Sequence, residues 1–156
     1  MTMIGHVEGD DTSTGVSYLE LAEVLIRHGS QTNADLRELW SRIVFNILVS
    51  NTDDHLRNHG FILVPEAGWR LSEAYDMNPV PFADGLKLNI TAVDNALDLE
   101  FAREVAAYFR LNLAEADAII DEFQRITSQW RTVARELGLP ALEQDRMAEA
   151  FRLAND

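Results

Sequence analysis

Residues 51–60 read NTDDHLRNHG, and this polar stretch organises the sequence on both sides of it. Leu56 is its only large apolar residue, so neither a helix face nor an alternating strand pattern continues through it. Before it, apolar residues recur at three-and-four spacing from 36 to 48, which predicts a core helix that Asn33 can cap. After it, residues 61–64 and 69–72 predict two strands joined by a turn. The sequence therefore predicts a helix, a polar loop and a β-hairpin in that order.

The region before the core helix holds a shorter helix with a clear start. Ser17 and Glu20 form a capping box, in which the serine hydroxyl and the glutamate each satisfy a backbone N–H of the first turn. Gly29 is placed to end this helix. Residues 1–16 are polar and contain glycine, and we expect them to form a flexible N-terminal segment before a single domain over 17–156.

The region after the hairpin is helical apart from a short extended segment at 86–90. Asp98 can cap a helix that runs to about residue 109. Asn112 opens another helix, which we expect to continue to Leu137, and a last helix is predicted from about 141 to 153. The predicted fold class is therefore mainly α, with one small inserted β-hairpin.

Composition excludes several classes of protein. Apolar residues make up 47% of the 156, enough for one buried core, and no apolar run approaches the roughly 20 residues of a membrane helix. There is no cysteine and no signal-peptide pattern, which agrees with a cytoplasmic protein. The net charge of -13 argues against direct binding of nucleic acid, because that binding depends on Lys and Arg neutralising phosphates.

Three polar residues have the types and spacing that phosphoryl transfer requires. Asp53 is followed five residues later by Asn58, and Asp76 comes after the predicted hairpin. Protein kinases use an aspartate that accepts the proton of the attacking hydroxyl, an asparagine five residues later, and a metal-binding aspartate beyond the next strands. Asn51 and Asp54 are expected to serve hydrogen bonds within the loop.

Residues 45–58, which read FNILVSNTDDHLRN, resemble the catalytic loop of HipA-type serine/threonine kinases. Residues 71–76, LSEAYD, resemble the magnesium motif of that family, and residues 17–22, SYLELA, resemble its approach to the same lobe. The resemblance implies the helical C-terminal lobe of a kinase-like fold, whose hairpin carries the catalytic and metal loops. It also implies the roles of the site residues: Asp53 as catalytic base, Asn58 and Asp76 as magnesium ligands, and His55 and Arg57 as residues that shape the loop.

The same resemblance implies an activity and a setting. HipA-type kinases use ATP and Mg²⁺ to phosphorylate a protein serine or threonine. They are the toxin halves of bacterial toxin–antitoxin pairs, linked to growth arrest and persistence. A DNA-binding antitoxin is therefore an expected partner.

The chain departs from the family pattern in two respects. Glu73 stands where many relatives have proline, which affects the stiffness of the metal loop. No Gly-rich phosphate loop and no strand with a nucleotide-pairing lysine precede Ser17, and Lys87 is the only lysine. We therefore expect the N-terminal nucleotide lobe to be absent from these residues, and the chain alone to catalyse poorly, since kinases hold ATP between two lobes.

Two other functions remain open at this point. A lobe without its nucleotide partner can act as a non-catalytic module that binds an antitoxin or a regulator. A metal-dependent hydrolase can use Asp53, Asp54 and His55 around a divalent ion, although the spacing of Asn58 then has no explanation. His55 and His59 are four apart, but the sequence offers no third zinc ligand at a recognisable spacing.

Overall fold

The computed structural model describes residues 2–82 and 84–155. The first long helix, α1, spans Tyr18–His28, and the capping box of Ser17 and Glu20 is present at its start, as predicted. The predicted ranges 1–16 and 17–156 also contain three residues outside the described part of the chain, namely Met1, Ala83 and Asp156.

Helix α2, Thr32–Leu48, is the central helix of the core. It begins one residue before Asn33, so the prediction that Asn33 caps it is wrong. The Thr32 hydroxyl instead donates to backbone oxygens at the end of α1, and the Asn33 side chain accepts a hydrogen bond of 2.7 Å from Arg110. The apolar face of α2 is fully buried, as its periodicity predicts, at Leu36, Leu39, Trp40, Ile43, Val44, Ile47 and Leu48.

The polar loop after α2 contains one short 3-10 turn, Leu56–Asn58. Strands β1, Phe61–Val64, and β2, Gly68–Leu71, then pair antiparallel, so the second strand begins one residue earlier than predicted. The hairpin comes directly after the loop. Because the two strands are antiparallel, the end of β2 lies beside the start of β1 and returns the chain to the loop.

Charged side chains of α2 hold the hairpin in place. The buried Asp35 carboxylate accepts from the Arg70 guanidinium, with a shortest distance of 2.8 Å, and from the backbone N–H of Leu71. About two turns further along α2, the Arg42 guanidinium donates to the backbone oxygen of Ser72 at 2.6 Å. These contacts fix where the chain leaves β2 and runs toward Asp76.

Helices make up most of the remaining chain. They are α3, Leu99–Val105, with a 3-10 extension Ala106–Phe109; α4, Leu113–Thr127; α5, Trp130–Glu136; α6, Ala141–Met147; and a final 3-10 segment Ala148–Asn155. Asp98 caps α3, and Asn112 with Glu115 forms the predicted box at the start of α4.

The prediction of one continuous helix from 112 to 137 is wrong, because the helix breaks between α4 and α5 at Ser128 and Gln129. The Thr127 and Ser128 hydroxyls donate to the backbone oxygens of Phe123 and Arg125, at 2.7 and 3.0 Å. Such side-chain bonds compete with the helical ladder and bend or end helices. The apolar periodicity alone does not reveal this break.

Residues 86–90 and the N-terminal segment both lie beside the loop. Residues 86–90 pair with the N-terminal segment through short backbone contacts, among them Asn89 N–H to Val16 O at 2.9 Å. The N-terminal segment also meets α1 through His6, whose ring lies 2.9 Å from Glu20. Within residues 2–82 and 84–155, no helix is long and apolar enough to cross a bilayer. The division of the chain at residue 16 stays a prediction.

Candidate active site

The loop after α2 presents two neighbouring aspartates to different surroundings. The Asp53 side chain is 66% exposed and forms an ion pair with the Lys87 ammonium. The Asp54 side chain is 3% exposed and faces the core. One residue of the pair is thus available to a ligand, while the other belongs to the interior.

Asp54 is the acceptor at the centre of a buried hydrogen-bond network. Its Oδ2 accepts from the Tyr18 hydroxyl at 2.5 Å, from Asn46 Nδ2 at 2.9 Å and from the His59 ring at 2.9 Å. An ionised carboxylate can only accept, so His59 donates through Nε2. Burial raises the pKa of the Tyr18 phenol well above its ordinary value, with the Asp54 charge adding to the effect, so the phenol stays a donor.

The donors of this network come from separate elements. Tyr18 is the first residue of α1, Asn46 lies near the end of α2, and His59 follows the 3-10 turn. Asn46 also accepts at Oδ1 from Asn51 Nδ2, at 3.0 Å. The network therefore ties both sides of the loop to the two helices that carry it, which fixes the backbone next to Asp53. Asn51 and Asp54 thus form hydrogen bonds as predicted, but of their side-chain bonds only the one between Asp54 and His59 lies within the loop, and the others reach α1 and α2.

The Asp53 carboxyl is ionised over a wide pH range. The hydrogen bond from Lys87 lowers the pKa of Asp53 below its ordinary value, and the positive charge of Lys87 acts in the same direction. A carboxylate that is exposed, ionised and held on an anchored loop can accept a proton from a bound hydroxyl.

Asn58 and the segment around Asp76 line the same small cleft. Tyr75 and Met77, the neighbours of Asp76, and Asn58 are all part of its wall. The Tyr75 hydroxyl donates to the backbone oxygen of Arg57 at 2.7 Å, which ties the segment to the loop. The hairpin thus brings the stretch that carries Asp76 back to the loop, but Asp76 itself is not part of the cleft wall. That Asn58 and Asp76 meet at one metal site stays a prediction.

The amide of Asn58 and the carboxylate of Asp76 differ in how they are held. Asn58 is 5% exposed, and its Nδ2 has no hydrogen-bond partner in the described part of the chain. Asp76 is exposed, has a left-handed backbone (φ 57°) and accepts from Asn78 Nδ2 at 2.8 Å. Leaving a buried N–H₂ group unpaired costs about 1–3 kcal/mol, and only a hydrogen-bond acceptor, not a cation, recovers that energy.

His55 and Arg57 lie on the outer side of the loop. An Arg57 nitrogen lies 3.4 Å from His55 Nε2, and the guanidinium forms an ion pair with Glu8 of the N-terminal segment. Both residues line a cleft of about 270 Å³ together with Lys87. The role of these two residues in shaping the loop stays a prediction.

The hypothesis of a metal-dependent hydrolase does not fit this geometry. It requires Asp54 as a metal ligand, but the buried Asp54 Oδ2 already accepts from three protein donors. No cluster of three or more His, Cys, Asp or Glu suited to a metal occurs within residues 2–82 and 84–155. Nε2 of His59, the other half of the possible zinc pair, is bonded to Asp54, and its buried Nδ1 has no hydrogen-bond partner in the described part of the chain.

The sequence reasoning missed part of this arrangement. The sequence does not predict that Tyr18, Asn46 and His59 donate to Asp54, or that Lys87 pairs with Asp53. One signal was present: Asn46 interrupts the apolar face of the core helix, and a buried amide needs a polar partner. The identity of that partner depends on the tertiary fold.

Comparison with known proteins gives a consistent result. The sequence profile of the HipA-like C-terminal domain matches residues 1–130. A protein of Sinorhizobium fredii named "Putative kinase Y4dM" is 30% identical over 156 residues, which is 98% of this chain and 32% of that protein. A "Putative kinase" of Haemophilus influenzae is 34% identical over 76 residues, or 47% of this chain and 22% of that protein. The chain thus spans about a third or less of each relative's length.

Proposed function

Because the chain belongs to the family of HipA-like C-terminal domains, we propose that it is the catalytic lobe of a HipA-type serine/threonine protein kinase. The observation that supports the proposal is the anchoring of the loop, which carries two of the three candidate residues and contacts the segment that carries the third. An anchored loop presents Asp53 to solvent, and Asn58 of the same loop shares a cleft with the residues that flank Asp76. This is the set of groups that kinase chemistry uses.

The reaction assigns one proton transfer to this chain. The oxygen of a substrate serine or threonine attacks the γ-phosphorus of ATP, and the bond from that phosphorus to the oxygen it shares with the β-phosphate breaks. ADP leaves, and the hydroxyl proton passes to the Asp53 carboxylate. The depressed pKa of Asp53 keeps it ionised before each transfer, so it orients the hydroxyl and accepts the proton late in the reaction.

Asn58 and Asp76 are suited to hold Mg²⁺ with ATP. Carboxylate and amide oxygens are the ligands that Mg²⁺ prefers, and it usually takes only one or two from the protein. The Asn58 oxygen can face the ion only when the amide is turned with its Nδ2 away from it, and the Asp76 carboxylate is exposed. When bound, the ion neutralises charge on the phosphates.

The wider setting of the kinase also follows from the family. We infer a protein substrate, and a DNA-binding antitoxin as partner of a bacterial toxin. The chain's net charge of -13 supports DNA contact through the partner rather than through this domain.

Transfer of ³²P from γ-labelled ATP tests the proposal. The assay uses the chain alone and a chimera in which it replaces the matching region of Y4dM, with the generic acceptor casein. We expect Asp53→Asn and Asp76→Ala to abolish transfer, whereas Asp121→Asn, on the exposed face of α4, retains it. Equal transfer by the Asp53→Asn variant and the unaltered protein contradicts the role assignment. No transfer by either protein favours the non-catalytic module.

A further inference from the structure

Residues 86–90 place Lys87 at the candidate site. Leu86 and Leu88 are buried at 1% and 0% exposure, whereas the Lys87 side chain between them is 49% exposed. The backbone at this position is fixed, because the Lys87 oxygen accepts from the N–H of Thr12 at 3.1 Å. The core thus determines where the single lysine of the chain emerges.

The Lys87 ammonium emerges directly beside the candidate base. It donates to Asp53 Oδ1, across 34 positions of sequence. The two side chains are 49% and 66% exposed, and exposed ion pairs contribute little to stability. A ligand can therefore reach both partners without disturbing the fold.

The charges around this pair leave Lys87 as a cation directed at the reacting groups. Arg57, on the same loop as Asp53, is engaged by Glu8 of the N-terminal segment. Lys87 pairs with the candidate base itself. In a chain with 26 acidic and 13 basic residues, a cation placed there offsets repulsion of phosphate by the surrounding acids.

We propose that Lys87 is a catalytic residue that binds the phosphoryl group during its transfer. This inference rests on the proposed kinase function. The base contacts the attacking hydroxyl, so a group hydrogen-bonded to the base lies one hydrogen bond away from the reacting centre. An ammonium has three donors on a flexible stem, so Lys87 can contact a phosphoryl oxygen while it keeps Asp53.

Lys87 then acts by its charge and takes no part in the proton transfer. The substrate oxygen bonds to the γ-phosphorus, the bond to the leaving ADP oxygen breaks, and the proton goes to Asp53. Negative charge spreads over the phosphoryl oxygens as the leaving bond breaks, and a fixed cation there stabilises the transition state.

A single NMR signal reports the contact, because the chain contains one lysine. With lysine labelled by ¹³C at Cε, we expect the Lys87 signal to shift on titration with Mg·ATP. Asp53→Asn should also shift this signal without ligand, by removing the ion pair. No change at any Mg·ATP concentration that shifts backbone signals of residues 51–58, or no binding at all, contradicts the inference.

Kinetics of ³²P transfer provide the second test, with Arg27→Met as the matched control. Arg27 is a comparable exposed cation, 67% exposed and paired with Glu23 on α1. We expect Lys87→Met to lower kcat by about 100-fold, the loss typical of removing one transition-state donor. Lys87→Arg should recover part of it, and Arg27→Met should have no effect.

The outcomes separate the two proposals. If Asp53→Asn abolishes transfer but Lys87→Met behaves like Arg27→Met, the role of Lys87 is wrong and the kinase function stands. If transfer by the unaltered protein does not depend on Asp53, the kinase function fails, and the role of Lys87 fails with it.

Discussion

At the scale of single residues, Asp53 and Asp54 share a side chain but not an environment. Asp53 faces solvent and a lysine, and Asp54 faces a tyrosine, an asparagine and a histidine in the core. The polar sequence of the loop predicts that both residues leave the helix. It does not determine which one turns inward, because that depends on donors from α1 and α2 that are distant in sequence.

Substitution of the two aspartates should separate stability from activity. Asp54→Ala leaves three buried donors without their acceptor, and we expect it to lower the free energy of unfolding by about 3 kcal/mol. Asp53→Asn should change it by less than about 0.5 kcal/mol, because its ion pair is exposed. Urea denaturation followed by circular dichroism measures both, and similar losses for the two variants contradict the network.

The Asp53–Lys87 pair predicts that activity falls on acidification only at a lower pH than it would with an unpaired aspartate. The folded pKa of Asp53 is depressed, so the carboxylate stays ionised below the ordinary aspartate pKa and is lost only as pH falls through the lower folded value. We expect Lys87→Met to move the acid limb of kcat/KM to higher pH. The measurement is the pH profile of ³²P transfer, and an unmoved limb in that variant shows that Lys87 does not set the pKa.

At the scale of elements, the hairpin is positioned by close backbone contact with the end of α1. A Cβ added at Gly68 would lie 2.5 Å from the backbone oxygen of His28, and one at Gly29 would lie 2.3 Å from that of Leu25. The Ser30 N–H donates to the Trp69 oxygen at 2.8 Å across the same junction. Glycine at 68 therefore permits the close approach of the hairpin, whereas glycine at 29 avoids a clash within the end of α1, which it terminates as predicted.

Gly68→Ala should displace the hairpin from α1. The added methyl group clashes with backbone and sits at a positive φ of 119°, so we expect a loss of at least about 2 kcal/mol in the free energy of unfolding. Gly138→Ala is the control, since its φ of 73° is also positive but its Cβ would meet nothing within 4 Å. There the loss should be about 1 kcal/mol, from backbone strain alone. Equal losses would show that the close approach has no energetic role.

The elements themselves are predicted well where local chemistry decides them. The capping boxes at Ser17 and Asn112 mark two helix starts correctly, because capping involves neighbours in sequence. The break after Thr127 is missed, because apolar spacing continues through it. The predicted start of α2 at Asn33 is also wrong, because the Thr32 hydroxyl bonds back to α1 and the polar pattern does not reveal that bond.

At the scale of the whole molecule, the N-terminal segment is joined to the lobe by pairs of charged groups. His6 contacts Glu20 and Asp10, each at 2.9 Å, and Glu8 pairs with Arg57 of the catalytic loop. These contacts join a polar segment without periodicity to α1 and to the loop that carries Asp53. No pattern in residues 2–16 predicts them, since each depends on where the partner lies in three dimensions.

Attachment of this segment should weaken as pH rises. The hydrogen bond to Glu20, followed by that to Asp10, raises the pKa of His6 above its ordinary value. A raised folded pKa means that the contribution is fully present below the unfolded pKa and is lost as pH rises through the folded one. The rate of amide hydrogen exchange in residues 6–16 should therefore rise as pH passes from the ordinary histidine pKa through the higher pKa of folded His6. This rise should exceed the intrinsic effect of pH on exchange. His6→Gln should abolish the extra acceleration, and a variant that keeps it would show that another group is responsible.

We propose that Asn58 and Asp76 bind one divalent metal ion near Asp53. Paramagnetic broadening of backbone amide signals by Mn²⁺ with ATP tests it most directly, because Mn²⁺ accepts the same oxygen ligands as Mg²⁺. We predict that the first signals to disappear are those near residues 53, 58 and 76, and that Asp76→Ala removes the effect. Broadening that instead follows the exposed acidic face of α4, and persists in Asp76→Ala, would contradict the claim.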